Sequence, residues 1–249
     1  MIRVAFVLLA NERDIIAPML ATALNRRAPG LDFIPETAPS NDEVTCIDFD
    51  GGQVMVMPVP APVPKGEADD GFKFSVAAFS PSFKAPKHTA HLIVTLRLEE
   101  EKPALETQLL FTRVIAAVLE TTGAVAVYWG DAGVTHPADF FLDVASGDEH
   151  LWTMLWTGVS AVRQGTKRLS MLSLGMDQFN VMDAMVNGPA GMGNDLLIFM
   201  MDMLRYCIER GETIPDGDTV GRTNEERLKV KYVRSPIDAK KQVWSVDFP

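Results

Sequence analysis

Short apolar runs alternate along the chain with stretches whose apolar positions recur every three to four residues, which predicts strands interleaved with helices. Ile2–Leu9 reads as a buried strand. Asp14 is placed to cap a helix with Ile16, Met19, Leu20, Ala23 and Leu24 on one face, ended by Ala28-Pro29-Gly30. Val44–Phe49 and Gln53–Val59 flank Asp50-Gly51-Gly52, a hairpin signal because glycine supplies the positive φ of a tight turn. Pro58–Pro64 follows; it reads as a stiff exit from an edge strand, with a proline ligand for a partner groove as the other reading. Residues 66–79 predict a short irregular helix with Phe72, Val76 and Phe79 inward, and Ala90–Leu98 a strand.

Glu99–Glu101 and Pro103 mark a helix start, and Phe111, Val114, Ile115 and Val118 carry that helix to Thr122, with Gly123 closing it. The apolar run Ala124–Trp129 then reads as a buried strand that delivers the polar loop Gly130-Asp131-Ala132-Gly133. Pro137–Ala145 predicts a helix capped by Thr135 or His136, and Glu149–Val162 a second one, with Leu151, Trp152, Leu155, Trp156 and Val159 on one face. Leu169–Leu174 and Val181–Asn187 predict strands around the connection at Gly175–Asn180. Gly188–Asn194 reads as a flexible connection, since it lacks the lysine of a phosphate cradle and meets Asp195. Asp195–Arg210 predicts a helix apolar on most sides, Asp216-Gly217-Asp218 a turn, and Leu228–Val233 the last strand.

This order predicts an α+β fold: a mostly antiparallel, mixed sheet with covering helices, its first half ferredoxin-like. No flexible linker interrupts it, so one domain over 1–249 is expected, with 1–133 and 134–249 as its intimately packed internal halves.

Composition narrows the partners. The 249 residues carry 23 Lys and Arg against 33 Asp and Glu, a net charge of −10, which repels phosphate backbones and argues against nucleic acid. Two distant cysteines, Cys46 and Cys207, make no disulfide framework and suit a reducing cytoplasmic setting. The first apolar run meets Asn11-Glu12-Arg13-Asp14 without a cleavage site, and no stretch is long enough to span a membrane, so neither a signal peptide nor a membrane role is expected.

No catalytic constellation emerges. His88 and His91 have a helical metal spacing, but His91 opens a strand, where positions three apart face opposite ways; no metal is expected. Ser173 lies inside a strand without a nucleophile elbow, and Cys207 sits in an apolar helix that makes a thiol inert. No cofactor is called for. Two groups remain as a candidate binding surface. Trp129, Asp131 and His136 stand at the exit of the Ala124–Trp129 strand, where the plainer roles are a turn bond and a helix cap. Met176, Gln178 and Phe179 stand in the connection at Gly175, where an exposed phenylalanine would mark a surface and core filling is the other reading.

AHLIVTL at Ala90–Leu96, AVAVYWG at Ala124–Gly130, LSLGMDQF at Leu172–Phe179 and PDGDTVG at Pro215–Gly221 follow in order along most of the chain. In these segments the chain resembles the bacterial domain-of-unknown-function 4261 family. The resemblance implies a soluble bacterial protein, points to toxin–immunity or secretion neighbourhoods, and brings no catalytic residues. With the acidic charge it favours a non-enzymatic binding protein, immunity-like or adaptor, that engages the basic surface of a protein partner. The alternative is a small-molecule sensor or enzyme with a pocket near Trp129, Asp131 and His136. The oligomeric state is left open.

Overall fold

The computed structural model describes residues 1–36 and 44–249, and the chain divides into two units, Met1–Leu155 and Trp156–Pro249. The first unit runs β1 (Ile2–Leu9), α1 (Ala17–Arg27), β2 (Ile34–Pro35), β3 (Thr45–Phe49), β4 (Gly52–Val59), α2 (Glu67–Gly71), β5 (Ala90–Leu98) and α3 (Ala104–Thr122). It continues through β6 (Ala126–Trp129), β7 (Val134–Pro137), α4 (Ala138–Ser146) and the start of α5 (Thr153–Trp156). Its strands form one antiparallel sheet in the order β2-β3-β4-β5-β1-β6-β7, seven strands where a ferredoxin-like unit has four.

Alternation along the strands gives each face its own cover. Ala5, Val7 and Leu9 of β1 are buried, as are Val127 and Trp129 of β6, and the Trp129 ring packs between Phe111 of α3 and Phe141 of α4 at 5.1 and 6.3 Å. On the other face Leu8 and Ala126 meet Val63, Ala68 and Phe72 around α2. Here α2 lies so close to β7 that a Cβ on Gly71 would fall 2.4 Å from Thr135 Oγ1. The predicted hairpin is present, with Gly51 at φ 86° between β3 and β4.

Several expectations change. Asp14 does not cap α1: the helix begins after Ile16 with Pro18 in its first turn and no side-chain cap, and Ile16 and Met19 are exposed while Leu20, Ala21, Ala23 and Leu24 are buried. Residues 66–79 break into α2 and 3-10 turns, Phe72 going inward and Phe79 outward. Pro58 does not lie on an edge strand as such, since β4 sits between β3 and β5; β3 ends at Thr45 opposite Val56, so Pro58 lies beyond its reach, still paired with Leu92 of β5. The run Ala124–Trp129 leads into a hairpin rather than a helix: Thr135 and His136 are strand residues of β7, and Pro137 stands at the cap of α4.

The second unit contains β8 (Gly158–Gln164), β9 (Arg168–Leu174), β10 (Ala184–Pro189), α6 (Gly193–Arg210), β11 (Thr219–Val220), β12 (Leu228–Lys229), β13 (Lys231–Arg234) and β14 (Gln242–Asp247). A mixed five-stranded sheet is ordered β13-β14-β10-β9-β8, with β10 and β14 parallel and the other neighbours antiparallel; β11 and β12 pair separately. The helix predicted over 149–162 stops at Trp156, because Gly158 opens β8. Gly188–Asn194 is not a loose connection: Gly188 lies in β10 against Leu196 and Phe248, and a 3-10 turn at Ala190–Met192 leads into α6. The strand predicted over 181–187 begins at Ala184, the one over 228–233 is interrupted at Val230, and β14 is an added strand. Met171, Met200 and Met201 are core. The α+β class holds, and among the described residues no helix is long and apolar enough to cross a membrane.

Candidate functional site

The sequence-derived residues fall in both units. In the first, Trp129 is 2% exposed in its aromatic cluster, and His136 is fully buried. Asp131 is exposed on a 3-10 turn and pairs with Arg3 at 3.2 Å. His136 faces the same side of the sheet as Trp129, since Val127 pairs with His136 and Trp129 with Val134. Its Nδ1 lies 2.9 Å from Ser75 Oγ, which also accepts the Ala77 N–H at 3.2 Å. The Leu155 carbonyl on the Nε2 side places the imidazole proton on Nε2, so the Ser75 hydroxyl donates to Nδ1. Desolvation pushes the imidazole pKa down to about 3 despite that carbonyl. A serine–histidine pair with neither side chain exposed is a structural latch, because no substrate reaches the hydroxyl.

His88 and His91 grip the proline segment. His91 Nδ1 donates to the Ala61 carbonyl at 2.7 Å, and His88 Nε2 accepts the Val63 N–H at 3.3 Å while its Nδ1 faces Asp69 at 3.6 Å. Desolvation lowers the His88 pKa, with Asp69 acting against it.

In the second unit Gly175, at φ 99°, turns the chain from β9 into a 3-10 turn at Met176–Phe179, and Asn180, at φ 58°, turns it out again. A left-handed conformation is open to Gly and tolerated by Asn, which explains the residues at both ends of this motif. Met176 is fully buried, Phe179 is 4% exposed with its ring tilted against Trp156 at 5.4 Å, and half-buried Gln178 donates to the carbonyls of Trp156 and Gly175. These three hold the turn; the side chains it presents outward are Asp177 and Asn180.

Sequence reasoning missed what the turn surrounds. Asp177, Asn180, Asp183, Thr213, Lys241 and Gln242 line an open recess of about 420 Å³ with Val181 and Met182. Asp183 Oδ1 accepts the Ser173 hydroxyl at 2.9 Å and the Met176 N–H at 3.2 Å, and Ser173 Oγ accepts the Ala184 N–H at 2.8 Å. Thr213 Oγ1 accepts the Met182 N–H at 2.8 Å. Burial raises the Asp183 pKa to about 6, the two hydrogen bonds opposing, Asp177 adding and Lys241 subtracting. Across the rim the Lys241 ammonium pairs with Asp177, and that bond raises the lysine pKa. The signal for Asp183 was present in the sequence as a lone carboxylate between Met182 and Ala184, whereas nothing local announces Lys241.

The recess can therefore hold a cation against one exposed and one shielded carboxylate. Among the described residues no group of three or more His, Cys, Asp or Glu is disposed to hold a metal ion. No curated protein and no solved structure matches the chain. Of the four segments that carry the family resemblance, LSLGMDQF and PDGDTVG lie within the region matched by a family model, and AHLIVTL and AVAVYWG lie outside it. That match covers residues 172–247, the region that builds the recess, which is similar to the family described as Domain of unknown function (DUF4261).

Proposed function

We propose that the chain is a binding protein whose second unit takes a cationic side chain of a basic partner into the recess beside Asp177 and Asp183. The observation that carries this reading is the Lys241–Asp177 pair next to the shielded Asp183 carboxylate: one ammonium group already sits on the rim, in the manner an incoming lysine or arginine would. Charge-assisted bonds to a carboxylate are the stronger class, and a net charge of −10 steers basic partners toward the chain. Asp183 adds a second support. A carboxylate with a raised pKa costs the fold stability at neutral pH, and such local conflicts concentrate at functional sites. A pocket built on Trp129, Asp131 and His136 has less support, since two of the three are buried and the imidazole is neutral.

Titration calorimetry with oligolysine, on the native chain and on Asp177→Asn and Asp183→Asn, tests the reading. Binding that weakens several-fold in each variant, while both stay folded, is the expected result. Equal heats from all three proteins would overturn it. A pull-down from the host then has a stringent criterion: the partner must be recovered by the native chain and lost with Asp177→Asn.

A further inference from the structure

Three strand ends meet at one corner of the seven-stranded sheet. β5 begins where β1 and β4 finish, with Ala90 beside Leu9 and His91 between Leu8 and Val59. A cleft of about 460 Å³ opens here, within the usual size range of small-molecule sites. Its walls are tied down. Thr89 donates its N–H to the Leu9 carbonyl at 2.9 Å and its hydroxyl to the Ala10 carbonyl at 2.8 Å, which fixes the turn after β1. The proline segment that forms another wall is held by the bonds of His91 to Ala61 and of His88 to Val63.

The shielded polar group of the cleft is His91, 3% exposed. Its Nδ1 proton goes to the Ala61 carbonyl, so Nε2 of the neutral ring is an acceptor. Among the described residues that nitrogen has no bond, and unlike His136 Nε2 it is not shut off from open space. A shielded acceptor calls for a donor, because leaving it unmatched costs stability. Glu12, Arg13 and Asp14 are exposed at the mouth. None of the three pairs with another described residue, and Asp14 is not spent on capping α1.

We infer that this cleft is a second binding site, separate from the recess at Asp177 and Asp183, for a free α-amino acid whose side chain ends in a hydrogen-bond donor. An α-amino acid carries its ammonium and carboxylate on one carbon, so both need partners at the same end of the ligand. Glu12 and Asp14 answer the ammonium, and the Arg13 guanidinium answers the carboxylate with its planar fork. A simple carboxylic acid would meet two carboxylates for one guanidinium, and a simple amine would leave Arg13 unanswered. The side chain runs inward along Leu9, Val59 and Pro60, and its terminal hydroxyl or N–H donates to His91 Nε2. Apolar walls with a few placed polar groups are the usual make-up of such a site. A cleft of this size suits a long side chain, which makes L-tyrosine and L-glutamine the probes.

The test is nuclear magnetic resonance of the full chain with its imidazole nitrogens labelled, the His91 Nε2 signal being assigned by its loss in His91→Gln. L-Phenylalanine and L-methionine are the matched controls, similar in size and lacking the terminal donor. At least one probe moves the His91 signal at millimolar concentration, leaves His136 in place, and binds about tenfold or more tightly than its control, the size of an acceptor left unmatched. Arg13→Gln, an exposed change, keeps the native spectrum and weakens that probe about fivefold or more. A His91 signal that neither probe moves overturns the inference. So do controls that bind as tightly as the probes, or an Arg13→Gln variant that binds like the native chain.

Discussion

Ser173 and Asp183 are joined across the β9–β10 pair by a hydroxyl that donates to the Asp183 carboxylate at 2.9 Å and accepts the Ala184 N–H at 2.8 Å. The serine thus anchors a shielded carboxylate to the ladder at the edge of an open recess. An acid with a folded pKa near 6 and an ordinary value of 3.8 holds its proton more tightly in the folded state, so its contribution is fully present below 3.8 and is lost as pH rises through 6. Asp183→Asn keeps an oxygen to accept both hydrogen bonds and removes the charge. The variant should be more stable than the native chain at pH 7 by about 2 kcal/mol, with the difference shrinking toward pH 4. Urea midpoints at a series of pH values check this; a variant less stable at pH 7 would count against a strained carboxylate. The same substitution that weakens oligolysine binding should therefore strengthen the fold.

His136 has the opposite dependence. A base whose pKa falls from 6.5 to about 3 stays neutral in the folded chain while the unfolded chain takes up a proton, so stability is fully present above 6.5 and declines as pH falls. By pH 3 the decline attributable to this one imidazole approaches about 5 kcal/mol. His136→Asn, whose Oδ1 can still accept the Ser75 hydroxyl, should cost stability at pH 7 through lost packing but flatten the profile between pH 6.5 and 3. Parallel curves for the native chain and the variant would show that the imidazole does not carry the acid sensitivity.

The close approach of α2 to β7 makes Gly71 a sensitive position. An alanine Cβ there meets Thr135 Oγ1 at 2.4 Å, Thr135 N at 3.0 Å and the Gly133 carbonyl oxygen at 3.2 Å. Backbone atoms cannot move aside as a flexible side chain can, so Gly71→Ala should cost about 1–3 kcal/mol, the range for overpacking. Thr135→Ala removes the nearest of the three obstacles together with the bond to Ala68. The double variant should be less destabilised than the two single ones added, since the residues share one clash. Strict additivity in thermal or urea unfolding would place the strain elsewhere.

These sites differ in how far the sequence reveals them. α3 and α6 are legible because their apolar residues repeat at helical spacing between clear end signals, Pro103 and Gly123 for one and Gly211 for the other. β8 is hidden by the same signal: Leu151, Trp152, Leu155, Trp156 and Val159 keep helical spacing straight across Gly158, where the chain in fact changes to a strand. His136 looks like a helix cap because a proline and a helix follow it, and only pairing with Val127 places it in β7. β14 owes its position to parallel pairing with β10, a contact between segments that no local pattern connects. The recess repeats the lesson. Gly175 and Asn180 mark a turn in the sequence, but Lys241 reaches Asp177 from 64 positions away.

That distant lysine supplies the sharpest test of the proposed binding site. Lys241 is exposed, and an exposed ion pair contributes at most about 1 kcal/mol, so the pair with Asp177 is weak enough for a basic ligand to displace. If the recess takes cations, Lys241 is their built-in competitor. Lys241→Ala should then leave folding nearly unchanged and raise the affinity for oligolysine up to about fivefold at low salt, the size of that competing pair. The gain should shrink as salt screens the exposed carboxylate. In Asp177→Asn, with its half of the pair already gone, removing the lysine should change little, which separates release of a competitor from a general rise in negative charge. Tighter binding of equal size in both backgrounds would mean that oligolysine responds to the net charge of the chain and does not use the recess.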